Sequence, residues 1–174
     1  MRIAGIDPGL GTTGYGVIEA LGHDVKLVEG GVIRADDPRA SLEVRLSSLY
    51  DGVAEMLKQS GSDAVALEEL YSHYDHPVTA ILMGHARGVI CLAAAKNGIP
   101  VFSYAATEIK LSTTGSGRAS KEQVQRAVQA RLKLRDIPRP NDVADALAVA
   151  LCHHAVISSP VWAATLSASR RESK

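Results

Sequence analysis

Four acidic residues have the types and placements that metal-centred chemistry needs: Asp7, Glu68, Asp142 and Asp145. Asp7 closes an apolar run and meets the turn residues Pro8 and Gly9 at once. A carboxylate there is costly unless it has a cation, a hydrogen-bond partner or a chemical task. Glu68 ends a second apolar run in the same way. Asp142 and Asp145 lie three apart at a predicted helix start, so they share a face. The helix dipole favours acids there for purely structural reasons. Asp145, however, is set among Val and Ala with no basic residue three or four positions away. If the strands ending at Asp7 and Glu68 are adjacent and parallel, a helix packed across their ends brings all four carboxylates together. Such a cluster holds either protons or metal. Its hard oxygens suit Mg²⁺ or Mn²⁺, one or two ions per site. Two ions about 4 Å apart can activate a water and stabilise the leaving oxygen of an in-line attack on a phosphodiester.

The elements that must position these acids follow from periodicity. Runs at 2–6, 13–20 and 25–34, separated by Gly-containing turns, predict a meander of three antiparallel strands. Helical spacing spans 41–59, with Gly61 as its C′ residue. A strand buried on both faces is predicted over 63–68 and a last strand over 99–104. Between them runs an Ala-rich helix over 78–97. Helix then strand, twice over, predicts that the last two strands are parallel to the first. Thr107 is a candidate cap for a short helix, 112–120 reads as a polar loop, and Ser120 opens a helix to about residue 134. Asn141 is a candidate N-cap for the final helix, 142–157. The expectation is an α/β protein with a five-stranded mixed sheet flanked by helices, one domain over 1–158 and a flexible tail over 159–174.

Composition narrows the function classes. The 174 residues suffice for a real core, and 46% hydrophobic with 22% charged residues fits a globular protein. No apolar run of about 18 residues is seen, which predicts no membrane span, and the N-terminus does not read as a signal peptide. Cys91 and Cys152 read as two buried thiols of a reducing compartment, so the cytoplasm is expected. Net charge is zero but unevenly spread. Residues 1–86 hold 6 basic and 13 acidic residues, whereas 87–139 hold 10 basic and 3 acidic. That asymmetry fits a phosphate-binding surface flanking a metal site, and also ordinary solvated helix faces. His85, His153 and His154 read as structural or surface residues.

Several segments taken together resemble one family. Gly5-Ile-Asp-Pro-Gly9, Thr13-Gly-Tyr-Gly-Val-Ile18, Ala66-Leu-Glu68-Glu-Leu-Tyr71, Gly84-His-Ala-Arg-Gly88 and Ala144-Asp-Ala-Leu-Ala148 are similar, in order, to the RuvC-type Holliday junction resolvases. The resemblance covers roughly residues 2–156. It implies a ribonuclease-H-like fold, a homodimer, a divalent metal and paired symmetric nicks in a four-way DNA junction. It also implies a branch-migration motor of the RuvA and RuvB type as partner. Carried over by position, the catalytic and metal-binding acids are Asp7, Glu68, Asp142 and Asp145. Glu69 is a rival to Glu68, which its strand-end position and the Ala-Leu-Glu match favour. Tyr71 falls where the family stacks an aromatic on a junction base, a contact worth about 1–3 kcal/mol. Lys110 and Lys121 fall where lysines approach the scissile phosphate, bracketing the loop 112–120, and Arg118 is a further DNA-binding candidate. The segment 72–77 carries His73, Tyr74 and His76 in place of the basic residues some relatives have there. The apolar residues Ile81, Leu82 and Val89 of the Ala-rich helix are candidates for the dimer interface or for the core.

Two rivals remain. An actin-like or sugar-kinase-like ATP-binding fold also begins with a strand, an Asp and a Gly/Thr-rich turn. It needs two such domains and a second phosphate loop, for which this chain is too short. A non-cleaving junction-binding protein of the same fold requires a lost acid, and all four are present.

Overall fold

The computed structural model describes residues 1–34, 37, 39–70 and 77–159. Its elements are β1 (Arg2–Asp7), β2 (Thr12–Leu21), β3 (Asp24–Arg34), α1 (Leu42–Ser60), β4 (Ala64–Glu68), α2 (Pro77–Lys96), β5 (Val101–Tyr104), α3 (Ala106–Thr114), α4 (Lys121–Arg131) and α5 (Asn141–Ile157). The five strands form one sheet in the order β3-β2-β1-β4-β5. The pairs β1–β2 and β2–β3 are antiparallel, and β1–β4 and β4–β5 are parallel, as the sequence predicts.

Strand alternation divides the core into two layers. Ile3, Ile18 and Ala66 face α3, α4 and α5, where Val143, Leu147 and Leu151 cover them. Ala4, Ile6, Val17, Val65 and Leu67 face the other way, against Val53 and Leu57 of α1 and Ile90 of α2. The same alternation puts Asp7 on the face of Ile3 and Gly5, and Glu68 on the face of Ala66. Both acids therefore point to the α5 side of the sheet.

The sheet is bare of side chains where α5 crosses it. Gly5 and Gly16 are cross-strand partners, as are Asp7 and Gly14. A Cβ at Gly5 would lie 2.0 Å from the Ala146 carbonyl oxygen, one at Gly14 2.2 Å from that of Asp142, and one at Gly16 2.5 Å from the Leu147 side chain. Only hydrogen fits at these positions, and the backbone of α5 rests directly on β1 and β2.

Several local expectations are corrected. The helix α3 runs to Thr114, so only 115–120 is loop, and its N-cap is Ala105 with Thr107 inside the helix. The Glu108 carboxylate accepts the Ala105 N–H at 2.9 Å, which gives the first turn the partner that Thr107 does not. The helix α4 ends at Arg131 because Lys133 takes a left-handed φ of 54°. Pro140, not Asn141, precedes the first turn of α5. Gly61 does close α1, at φ 59°.

Cys152 is buried but Cys91 only partly so. Leu82 and Val89 pack on the core, whereas Val78, Ile81 and Leu92 are large apolar residues of α2 that are exposed. Contrary to expectation, Val78–Lys96 is long and apolar enough to cross a membrane by length and composition. In this fold it packs on the sheet through Ala86, Ile90, Ala93 and Ala94, all fully buried. His153 and His154 are also buried. The Tyr104 hydroxyl and His153 Nδ1 share a 2.6 Å hydrogen bond, and burial holds the His153 imidazole neutral, with a pKa lowered to about 4. His85 is exposed.

Candidate active site

β1 and β4 run side by side with Ile6 opposite Leu67, so the next residue of each, Asp7 and Glu68, emerges at one edge of the sheet. The first turn of α5, seated on the glycines, brings Asp142 and Asp145 to the same edge. Carboxylate oxygens of Asp7, Asp142 and Asp145 all lie within 4.8 Å of one another. Glu68 stands beside this triad without belonging to it. It lines, with Asp7, Asp145, Lys110 and Lys121, a cavity of about 360 Å³ floored by Ile109 and Val124. A second depression shares Asp7 and Glu68 and extends towards Glu69, Leu70 and Met83. The two form one cleft, cationic on one side of the acids and apolar on the other.

Electrostatics matches this crowding. Burial, then the charges of Asp145, Glu68 and Asp142, lift the Asp7 carboxyl from 3.8 to about 7, against a smaller opposing pull from Lys121. Burial and Asp145 raise Glu68 too, while Lys110 and Lys121 oppose the shift. Lys121 Nζ lies 2.6 Å from Asp145 Oδ2, and that hydrogen bond is the main reason its own pKa is raised.

The partner that Asp145 lacks on its own helix is therefore supplied by α4. The capping box of α4 sets Lys121 in place. Ser120 Oγ accepts the Gln123 N–H at 3.2 Å, and Gln123 Oε1 accepts the Ser120 N–H at 2.8 Å.

Of the residues singled out in the sequence, the structure joins Asp7, Asp142 and Asp145 most tightly and adds Glu68, Lys110 and Lys121 around them. Glu69 is exposed, next to Glu68, in the second depression only. Arg118 is exposed on the α3–α4 loop and does not line either part of the cleft. Tyr71, His73, Tyr74 and His76 lie outside the described residues. Sequence reasoning missed the use of Gly5, Gly14 and Gly16. Their alternation in the strands, glycine on one face only, was the available signal.

A meander extended by two parallel strands, with acids at two central strand ends met by acids on a crossing helix, defines a ribonuclease-H-like protein with an acidic site. Comparison with known proteins narrows the class. Residues 3–153 match the family model of crossover junction endodeoxyribonuclease RuvC. The chain is 51% identical over 159 residues to the crossover junction endodeoxyribonuclease RuvC of Rhodopirellula baltica, covering 91% of this chain and 89% of that one. It is similar in structure to Thermus thermophilus RuvC in complex with a Holliday junction substrate, with a TM-score of 0.85 and 35% identity over 91% of this chain and 95% of that one. The yeast mitochondrial Holliday junction resolvase Ydc2 shares the fold, with a TM-score of 0.61 at 14% identity over 97% of this chain and 81% of that one. The chain belongs to the RuvC family of crossover junction endodeoxyribonucleases.

Proposed function

We propose that this protein resolves four-way DNA junctions by paired, symmetric, metal-dependent hydrolysis of phosphodiesters during recombination and repair. The observation that carries the reading is the triad of carboxylates within 4.8 Å, beside Glu68 and two lysines in one open cleft. Three carboxylates at that spacing are an unfavourable arrangement for anions alone and a fitting one for a hard divalent cation. Asp7, Asp142 and Asp145 would hold Mg²⁺, or Mn²⁺ in its place, as one or two ions, and Glu68 would share in holding them. When bound, the ion supplies Lewis acidity at the phosphate and lowers the pKa of a water.

The remaining roles fall to the chain's own residues. Lys110 and Lys121 line the cleft with the acids and would hold the scissile phosphate, offsetting charge that develops on its oxygens. Lys121 is held on Asp145 in the structure, which keeps its ammonium at the site. The apolar side of the cleft is lined by Leu70 and Met83, and for Tyr71, the next residue in the sequence after Leu70, we keep the role of a stacking residue. Arg118 remains a candidate for backbone contact away from the cleft.

A junction with two-fold symmetry calls for two sites, hence a homodimer, and Val78, Ile81 and Leu92 on α2 offer an apolar face for it. A motor of the RuvA and RuvB type and a cytoplasmic setting complete the reading, with residues 1–158 as the nuclease domain and 159–174 as its tail. Retention of all four acids favours cleavage over junction binding alone.

Replacing Asp7 with Asn tests the assignment. Nicking of a mobile four-way junction should fall at least 1,000-fold, an order of magnitude in keeping with loss of an essential group, while junction affinity is retained. Nicking at the normal rate by Asp7→Asn would sink the assignment.

A further inference from the structure

The segment Gly84-His-Ala-Arg-Gly88 has no part in the site as described, yet its Arg87 reaches the site's edge. The guanidinium extends from α2 across the C-terminal ends of β4 and β5. Nη1 donates to the Glu68 carbonyl oxygen at 2.5 Å, and Nη2 donates to Ser103 Oγ, also at 2.5 Å. Glu68 is the last residue of β4, one position beyond the final β1–β4 pair, Ile6 with Leu67. A carbonyl at such a strand end needs a donor from outside the β1 ladder. On the β5 side the backbone is tied as well, since the Glu69 N–H donates to the Tyr104 carbonyl at 2.9 Å.

Arg87 is partly buried on α2. The donors of a partly buried guanidinium need partners. Two of them are used, one on the end of β4 that carries Glu68 and one on the neighbouring end of β5. The planar fork bonds both at once and so sets their separation, which a lysine ammonium acting as a point donor does not.

We infer that Arg87 is a positioning residue for the nuclease site, holding the end of β4 so that the Glu68 carboxylate faces Asp7 and Asp145. The inference rests on the proposed role of Glu68. Arg87 does not touch the acid triad and does not itself line the cleft; its contact with the site is the backbone carbonyl of Glu68. Removing its fork frees the peptide that carries Glu68, and a misplacement of about 1 Å at a reacting centre costs on the order of 100-fold in rate.

The test compares Arg87→Met, Arg87→Lys and Ser103→Ala with the unaltered full chain. The readouts are single-turnover nicking of a four-way junction, junction affinity without divalent metal, melting temperature, and hydrogen exchange at the Glu69 amide. Arg87→Met should nick 10- to 100-fold more slowly with junction affinity within twofold, and the Glu69 amide should exchange faster. Added guanidinium should return part of the rate. Arg87→Lys should fall between Met and the unaltered chain, and Ser103→Ala should lose less than either. Normal nicking by Arg87→Met, with Asp7→Asn inactive, would overturn the inference and leave the proposed function standing. A nicking loss without faster Glu69 exchange and without guanidinium rescue would also overturn it. Should Arg87→Met fail to fold, Ser103→Ala decides: unchanged nicking and unchanged Glu69 exchange would overturn it.

Discussion

Replacing Gly14 with Ala probes how the active site is assembled without altering a charged group. Gly14 lies opposite Asp7 in the β1–β2 ladder. A methyl group there would come within 2.2 Å of the Asp142 carbonyl oxygen and 2.7 Å of the Asp142 Cβ. Both distances are well inside van der Waals contact, and the obstacle is helix backbone, which cannot swing aside as a side chain does. The first turn of α5 must retreat by about 1 Å, carrying Asp142 and Asp145 away from Asp7. Overpacking of this kind costs about 1–3 kcal/mol, or roughly 3–10 °C in Tm for a chain of this size. The rate should suffer more. A shift of about 1 Å in the acids corresponds to a loss on the order of 100-fold, near 2.7 kcal/mol in barrier height. The assay is single-turnover nicking of a synthetic four-way junction at 25 °C, below the melting transition, alongside junction affinity and Tm. Gly11→Ala is the control, because Gly11 is exposed and a Cβ there meets nothing within 4 Å. Its rate should stay within twofold of normal. A normal rate in Gly14→Ala, or equal damage in Gly11→Ala, would refute the close-approach account.

Other outcomes follow from the same geometry. The Asp7 carboxyl is raised from 3.8 to about 7, so between about pH 4 and pH 7 the folded state keeps a proton that the unfolded chain has released. Metal-free stability should therefore fall as pH rises across that window and level off above it, with millimolar Mg²⁺ restoring it by binding the folded state. A metal-free Tm that climbs from pH 5 to pH 8, or a Tm at pH 8 indifferent to Mg²⁺, contradicts this. Lys121→Met removes an ammonium that lies 2.6 Å from Asp145 on a lysine side chain that is 59% exposed. Stability should change by less than about 1 kcal/mol, whereas nicking should drop on the order of 100-fold; a large Tm change with a normal rate would reverse the assignment from phosphate binding to structure. Tyr104→Phe leaves buried His153 Nδ1 without its 2.6 Å partner. It should cost about 1–3 kcal/mol, read as a lower Tm with nicking at 25 °C nearly unchanged.

Much of this molecule was legible along the chain. Short continuous apolar runs marked β1 and β4, helical spacing marked α1, and the order of strands and helices foretold which strands run parallel. Asp7 and Glu68 could be read as strand-end acids because each follows a run too apolar to be anything but buried strand. Boundaries were less legible where capping overrode composition, as at α3, where Glu108 rather than Thr107 completes the first turn.

The sequence by itself determined the elements and the chemical type of the site, because alternation and helical period act between near neighbours. The tertiary structure decided how closely the parts meet. It placed Lys121 on Asp145, 24 positions away in the chain, and Arg87 on the Glu68 carbonyl. It also turned Gly5, Gly14 and Gly16 from strand residues without an assigned role into the floor on which α5 rests. These contacts join elements through space, and local propensity carries no information on which backbone will lie against which. The distance between the acids is set by the absence of three side chains in the sheet, and that absence acquires meaning only once a helix is laid across it.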